Sequence, residues 1–259
     1  MQLIFFDIET VPLPFDSFSD SQQEYLLRNA KDDAEIERRK SEMGLSPFTA
    51  RIVCIGLAKA TIIQKDEDFS VEKKVALCTK PTVKKSSELR MFKKGKNKDF
   101  KSFIDDEGVS YYLADEKWIV ETFWNKLKEN SNCTLVSFNG RNFDAPFLML
   151  RSALLGIRPT RNLMEGTRYN YAKHIDLLDE LTYYNASSYA ATRRFNFDFY
   201  SRAFGIPSPK GEGIDGSKVP DYFNEGKIYS IAKYCMRDVI ATYELFKVWN
   251  KYLNFKNEL

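Results

Sequence analysis

With 259 residues, of which 43% are hydrophobic, 14% aromatic and 29% charged, the chain has the composition of a globular protein and not of a disordered one. The length suits one large domain, or one domain carrying insertions. A net charge of +3 permits a nucleic-acid partner without demanding one. Cys54, Cys78, Cys133 and Cys235 show no CxxC or Cys/His spacing, which disfavours a zinc ribbon or a disulfide scaffold. Cys54 and Cys133 sit in apolar runs and read as buried, reduced thiols. No stretch approaches the roughly 18 apolar residues of a membrane span, and the N-terminus lacks the features of a signal peptide. The expectation is a soluble, cytoplasmic protein with no membrane partner.

In chain order, a first strand over about 2–7 runs into Val11-Pro12-Leu13-Pro14. Residues 21–43 form a polar, charge-mixed helix pattern with few apolar positions, as in an exposed insertion. Strands follow over 51–58 and near 71–78. Residues 84–101 carry eight Lys/Arg against two Asp/Glu, which reads as a solvated loop or as a contact for a phosphate backbone. Trp118, Ile119, Phe123 and Leu127 recur at helical spacing within 115–129. A buried strand over 134–138 then meets the turn Asn139-Gly140-Arg141-Asn142, and a helix opens near Phe143. A short connection over 174–182, a helix over 193–204, a loop over 205–220 and a long helix over about 226–252 complete the chain. Strands first, then alternating helices and strands, predict an α/β fold on a mixed sheet, one domain with insertions at about 14–47 and 80–112.

The chemistry starts in the first strand, Leu3-Ile4-Phe5-Phe6-Asp7-Ile8-Glu9-Thr10. Side chains alternate faces along a strand, so Asp7 and Glu9 point the same way, roughly 6–7 Å apart. Two acids on one edge of a buried strand are costly unless a cation neutralises them, and hard divalent ions take such oxygen ligands. Two further acids stand out by position. Asp144 opens a helix after an apolar strand, where a carboxylate is also favoured as a simple cap. Asp238 lies in Tyr234-Cys235-Met236-Arg237-Asp238, and on a helix Tyr234 and Asp238 share a face. Asp is a poor former of helix interiors, although alone it reads as solvated or ion-paired.

Taken together, FDIET at 6–10, NGRNFD at 139–144 and YCMRD at 234–238 resemble the three motifs of the DEDD superfamily of 3′–5′ exonucleases. The tyrosine four residues before the last acid marks the tyrosine subclass. The likeness is to the proofreading domain of family B DNA polymerases, and more narrowly to stand-alone prokaryotic proteins predicted to be exonucleases. The segment FGIPSPKGEGIDGSKV at 204–219 also resembles the loop before the last motif in those proteins. The resemblance implies a ribonuclease H-like fold and a phosphodiester hydrolase acting on the 3′ end of single-stranded nucleic acid, DNA favoured over RNA. It implies that Asp7, Glu9, Asp144 and Asp238 hold two Mg²⁺ or Mn²⁺ ions and that Tyr234 orients the attacking water. A phenol with an unperturbed pKa of about 10 suits an orienting group better than a base.

The family pattern extends to substrate contacts. Asn139 would position the terminal nucleotide or brace the acids, Phe143 would stack on terminal bases, and Thr10 would meet the 3′-hydroxyl. Lys210 is a candidate phosphate contact, and Phe143 reads equally as a core anchor. No polymerase-like segment lies within the 259 residues, and the two insertions are not explained by the motifs. Three other readings compete: an exoribonuclease with the same site, an inactive nucleic-acid-binding module, and a haloacid dehalogenase-type phosphatase. The last normally has Asp where Glu9 stands, and its later acidic pair has no counterpart except Asp32-Asp33 and Asp105-Asp106 in the insertions. The intact acids and tyrosine argue against the inactive module. His174 lies too far before the last acid for the histidine-marked subclass and reads as structural, while Asp176 is a fifth carboxylate placed near the site.

Overall fold

A computed structural model describes residues 1–62, 69–83, 86–95, 99–187, 189–207 and 214–255. Eight strands of these residues make one mixed sheet. They are β1 (Gln2–Pro12), β2 (Ala50–Ile62), β3 (Phe69–Thr79), β4 (Lys93–Lys94), β5 (Lys101–Ile104), β6 (Val109–Ala114), β7 (Thr134–Ser137) and β8 (His174–Asp176). Their order is β4-β5-β6-β3-β2-β1-β7-β8. The β1–β2 and β2–β3 pairs are antiparallel, whereas β7 runs parallel to β1 and β8 parallel to β7.

Alternation along β1 divides the core in two. Ile4, Phe6 and Ile8 face the helices α3 (Glu116–Glu129) and α4 (Asp144–Leu154), while Leu3 and Phe5 face the long helix α8 (Ile228–Tyr252). Phe5 and Phe6 are 0% and 1% exposed, and burial of each stabilises by about 1.5–3 kcal/mol. That anchorage offsets the cost of carrying two acids in the same strand. Helix α3 forms where its apolar stripe and its cap agree: the Asp115 carboxylate accepts the Trp118 N–H at 2.8 Å, and Ile119, Phe123 and Leu127 are buried. Helix α8 spans 25 residues and packs against β1, β2 and β3, as its long apolar face requires.

The first insertion is as exposed as its composition predicts, since α1 (Asp20–Leu27) and α2 (Asp33–Glu42) bury no residue. The second is not an appendage. Its second half supplies β5 and β6, and β6 pairs in parallel with β3 from Lys74↔Val109 to Thr79↔Ala114. Val109, Tyr111 and Leu113 are buried in alternation, a period-two signal set close behind the basic run. The expected connection at 174–182 is likewise a strand and a short helix, β8 followed by α5 (Leu177–Leu181). Three residues are too few for periodicity to reveal a strand. Part of the basic run, residues 84–85 and 96–98, lies outside the described residues. Helices α6 (Phe197–Ala203) and α7 (Val219–Asn224) precede α8.

Candidate metal-binding active site

The site forms where β7 leaves the sheet. β7 pairs with β1 from Leu3 to Phe5 and ends at Ser137, so the later backbone of β1 has no strand on that side. The N–H of Ile8, between Asp7 and Glu9, is satisfied by the Asp144 Oδ1 atom at 2.9 Å. One carboxylate thus takes the place of a sheet hydrogen bond and is held against the first motif. Asp144 is the first residue of α4 and 4% exposed, so it serves both helix and site.

Asp7 and Glu9 share the sheet face of Leu3 and Phe5, toward α8. A register shift between Glu9 and Thr10 interrupts the β1–β2 ladder just past the acids, and pairing resumes from Thr10↔Ile52 to Pro12↔Ala50. From α8, Tyr234 and Asp238 approach the same acids, and the Tyr234 phenol hydrogen-bonds Asp238. The position of α8 depends on Gly56, which pairs with Asp7 across β1–β2. A Cβ there would lie 2.9 Å from both Cys235 Sγ and Val239 Cγ2, so only glycine admits the helix this close.

Burial and like charge disfavour ionisation throughout the cluster. Burial, then Cys235, Asp144, Glu9 and Asp238, push the Asp7 carboxyl well above the usual range. Burial, then Asp238 and Asp144, do the same for Glu9. Burial raises Asp144 to about 7 despite the Ile8 N–H, with Asp176 and Asp238 adding to the effect. Among the described residues no ion pair reaches Asp7, Glu9 or Asp144. Buried like charges of this kind are costly to ionise and are what a site for divalent cations needs, because four carboxylates match two doubly charged ions. The residues present therefore have the oxygen-donor chemistry that divalent cations take. Burial and the carboxylates of Asp238, Glu9 and Asp7 drive the Tyr234 phenol upward, so it stays protonated.

The surrounding candidates are placed as follows. Asn139 adopts a left-handed backbone (φ 63°), and its Oδ1 accepts from Arg194 Nη2 at 3.3 Å. Phe143 is half-buried, with its ring 5.5 Å from that of Phe147. The Thr10 hydroxyl donates to the Gly44 carbonyl at 2.7 Å, which ties the first insertion to the end of β1. Lys210 lies outside the described residues. His174 is 5% exposed, with Nε2 2.7 Å from Ser137 Oγ and its ring against Phe6, a structural role.

Asp176, at the end of β8, is fully buried and accepts the N–H groups of Asn139 (2.8 Å), Arg141 (2.8 Å) and Leu178 (3.1 Å). It fixes the turn that delivers Asp144. Two neighbours were not anticipated from the sequence. Arg194 bridges Asn139 and Asp179, each at 3.3 Å, and carries no motif that would have flagged it. Cys235 lies with its Sγ 3.5 Å from Asp7 Oδ2, and its position inside YCMRD was the available signal.

A family profile described as "Predicted 3'-5' exonuclease related to the exonuclease domain of PolB" matches residues 91–259. The chain belongs to this family. The matched stretch contains Asp144, Tyr234 and Asp238, while the fold brings Asp7 and Glu9 to them from outside it. Among solved structures, the chain is similar to the family B DNA polymerase from the hyperthermophilic archaeon Pyrobaculum calidifontis, with a TM-score of 0.52 and 15% identity. That likeness covers 96% of this chain and 24% of the polymerase, and it concerns the fold: a mixed sheet with flanking helices, ribonuclease H-like. Among the described residues no helix is long and apolar enough to cross a membrane.

Proposed function

We propose that the protein is a metal-dependent 3′–5′ exonuclease that shortens single-stranded DNA from its 3′ end and releases nucleoside 5′-monophosphates. The observation that carries this reading is the gathering of Asp7, Glu9, Asp144, Tyr234 and Asp238 around the middle of β1, beyond the stretch paired with β7, in a chain of a predicted exonuclease family. Asp7, Glu9, Asp144 and Asp238 would hold two Mg²⁺ or Mn²⁺ ions, which when bound stabilise the charge on the attacking and leaving oxygens of an in-line displacement. The protonated Tyr234 hydroxyl, beside Asp238, orients the attacking water by hydrogen bonding. Asn139, braced by Arg194, faces the terminal nucleotide, and the half-exposed Phe143 ring offers a sequence-tolerant surface for a terminal base. Thr10 and Lys210 complete the substrate contacts, to the 3′-hydroxyl and a phosphate. Four buried free cysteines fit a reducing compartment such as the cytoplasm.

The test is degradation of 5′-labelled DNA and RNA oligonucleotides side by side with Mg²⁺ or Mn²⁺. A ladder shortening from the 3′ end of the DNA, abolished by EDTA and by Asp238→Ala, is the expected result. Preferential loss of the RNA would replace DNA with RNA as substrate, and full activity in excess EDTA would overturn the mechanism.

A further inference from the structure

We infer that a basic groove on the second insertion carries the phosphodiester backbone of the strand whose 3′ end enters the candidate active site. The groove has a volume of about 700 Å³ and is lined by Lys80, Arg90, Lys93, Lys94 and Lys101, with no carboxylate among its described lining residues. Among the described residues none of the five makes an ion pair. Five unneutralised cations around one cavity repel one another, and a chain of phosphates neutralises them together.

The groove is fixed to the body of the fold. Glu88 accepts the Ser230 N–H at 3.0 Å and the Ser230 hydroxyl, and Ser86 Oγ donates to the Gly226 carbonyl at 2.8 Å. Phe92 is buried, with its ring edge-on to that of Phe103 at 4.9 Å. These contacts moor the segment to the start of α8, where Ser230 lies about one helical turn before Tyr234. Sheet register relates it to the acids. Glu9 opposes Cys54, Cys54 opposes Cys78, Cys78 opposes Leu113, Leu113 opposes Lys101 and Lys101 opposes Lys94. Directly opposed residues share a face, so Lys101 and Lys94 rise on the same face as Glu9. Four strand spacings of about 4.8 Å, roughly 19 Å in all, separate Glu9 from Lys101. That is about six nucleotides at the roughly 3.4 Å of a stacked strand. Because the reacting end is the 3′ end, the groove takes nucleotides on its 5′ side. The inference rests on the nuclease reading for the identity of its ligand.

Fluorescence anisotropy of 5′-labelled single-stranded DNA, either a trinucleotide or a 20-mer, reads binding to the full chain in EDTA without turnover. Log affinity for the 20-mer should fall with log salt at a slope of about −3.5, since each neutralised phosphate contributes about −0.7, and the trinucleotide should show a far shallower slope. Lys93→Gln/Lys94→Gln/Lys101→Gln should flatten the 20-mer slope by about 2, whereas Lys247→Gln/Lys251→Gln, at the opposite end of α8, should leave it as it was. Equal affinity and salt dependence for the two lengths in the unaltered protein overturns the inference whether or not the variants fold. So does an unflattened slope in the triple variant, or an equal flattening in the control. DNA degradation with Mg²⁺ or Mn²⁺ but no length dependence of binding would sink the groove and leave the nuclease reading standing. Binding that depends on length and on these lysines, without any degradation, would do the reverse.

Discussion

Replacing Gly56 by alanine tests how the last motif is brought to the first. The added methyl group would sit 2.9 Å from Cys235 Sγ and from Val239 Cγ2, whereas ordinary contact begins at 3.4 Å. Both partners belong to the buried face of α8, so the helix must retreat by the missing half ångström or force its side chains off their rotamers. Overpacking of this kind costs about 1–3 kcal/mol. For a chain of this size that is a fall in Tm of roughly 2–12 °C. Because α8 carries Tyr234 and Asp238, the same retreat shifts them from Asp7 and Glu9, and a displacement of half an ångström should lower turnover roughly tenfold. Thermal or urea unfolding reads the first effect, and single-turnover degradation of a labelled oligonucleotide reads the second. The clash assigns a control: in a Cys235→Ala/Val239→Ala background the added methyl should cost less than about 0.5 kcal/mol, the limit for independent sites. A Gly56→Ala protein as stable and active as the original would refute the packing argument, and an undiminished penalty in the control background would refute its cause.

Asp7→Asn should lower exonuclease turnover by about 10²–10³-fold or more, yet in EDTA it should unfold at the same or a higher temperature, because burial and acidic neighbours already disfavour that carboxylate. Divalent ions at about 100 times Kd should stabilise the unaltered protein by about 2.7 kcal/mol and the variant by much less, as differential scanning calorimetry would show. Asp176→Ala leaves the N–H groups of Asn139, Arg141 and Leu178 without their acceptor and should cost several kcal/mol at about 1–3 each, with Asp176→Asn in between. Urea unfolding that separates neither variant from the parent would reject that role. Burial holds the His174 imidazole neutral, its pKa lowered from 6.5 to about 3, with Arg141 and Arg161 contributing. The unfolded chain therefore binds a proton below pH 6.5 that the native protein refuses, and His174 removes about 1.4 kcal/mol of stability per pH unit from there down to about 3. The raised carboxyls act with the opposite sign, so the measurement is the difference between the parent and His174→Gln, which should widen as pH falls from 7 to 5.

What the sequence made legible was what repeats at a short period or is packed into one short motif. The acids of β1 announced themselves because a strand places Asp7 and Glu9 on one face, and α8 because its apolar spacing persists for seven turns. The contacts that join these pieces have no such signature. Gly56 is one glycine in an apolar strand until α8 is seen lying 2.9 Å from its absent Cβ. Asp176 sits in a three-residue strand and acts on a turn 35–37 positions earlier through backbone groups that any residue would supply. Arg194 reaches Asn139 across 55 positions. Backbone donors and long-range partners leave no residue-type pattern, so the candidate site residues could be named from sequence while the contacts that position them could not. The same asymmetry explains Cys235, whose neighbours in YCMRD were read for their carboxylate and phenol. Only the close passage of α8 over Gly56 gives the sulfur a bearing on Asp7.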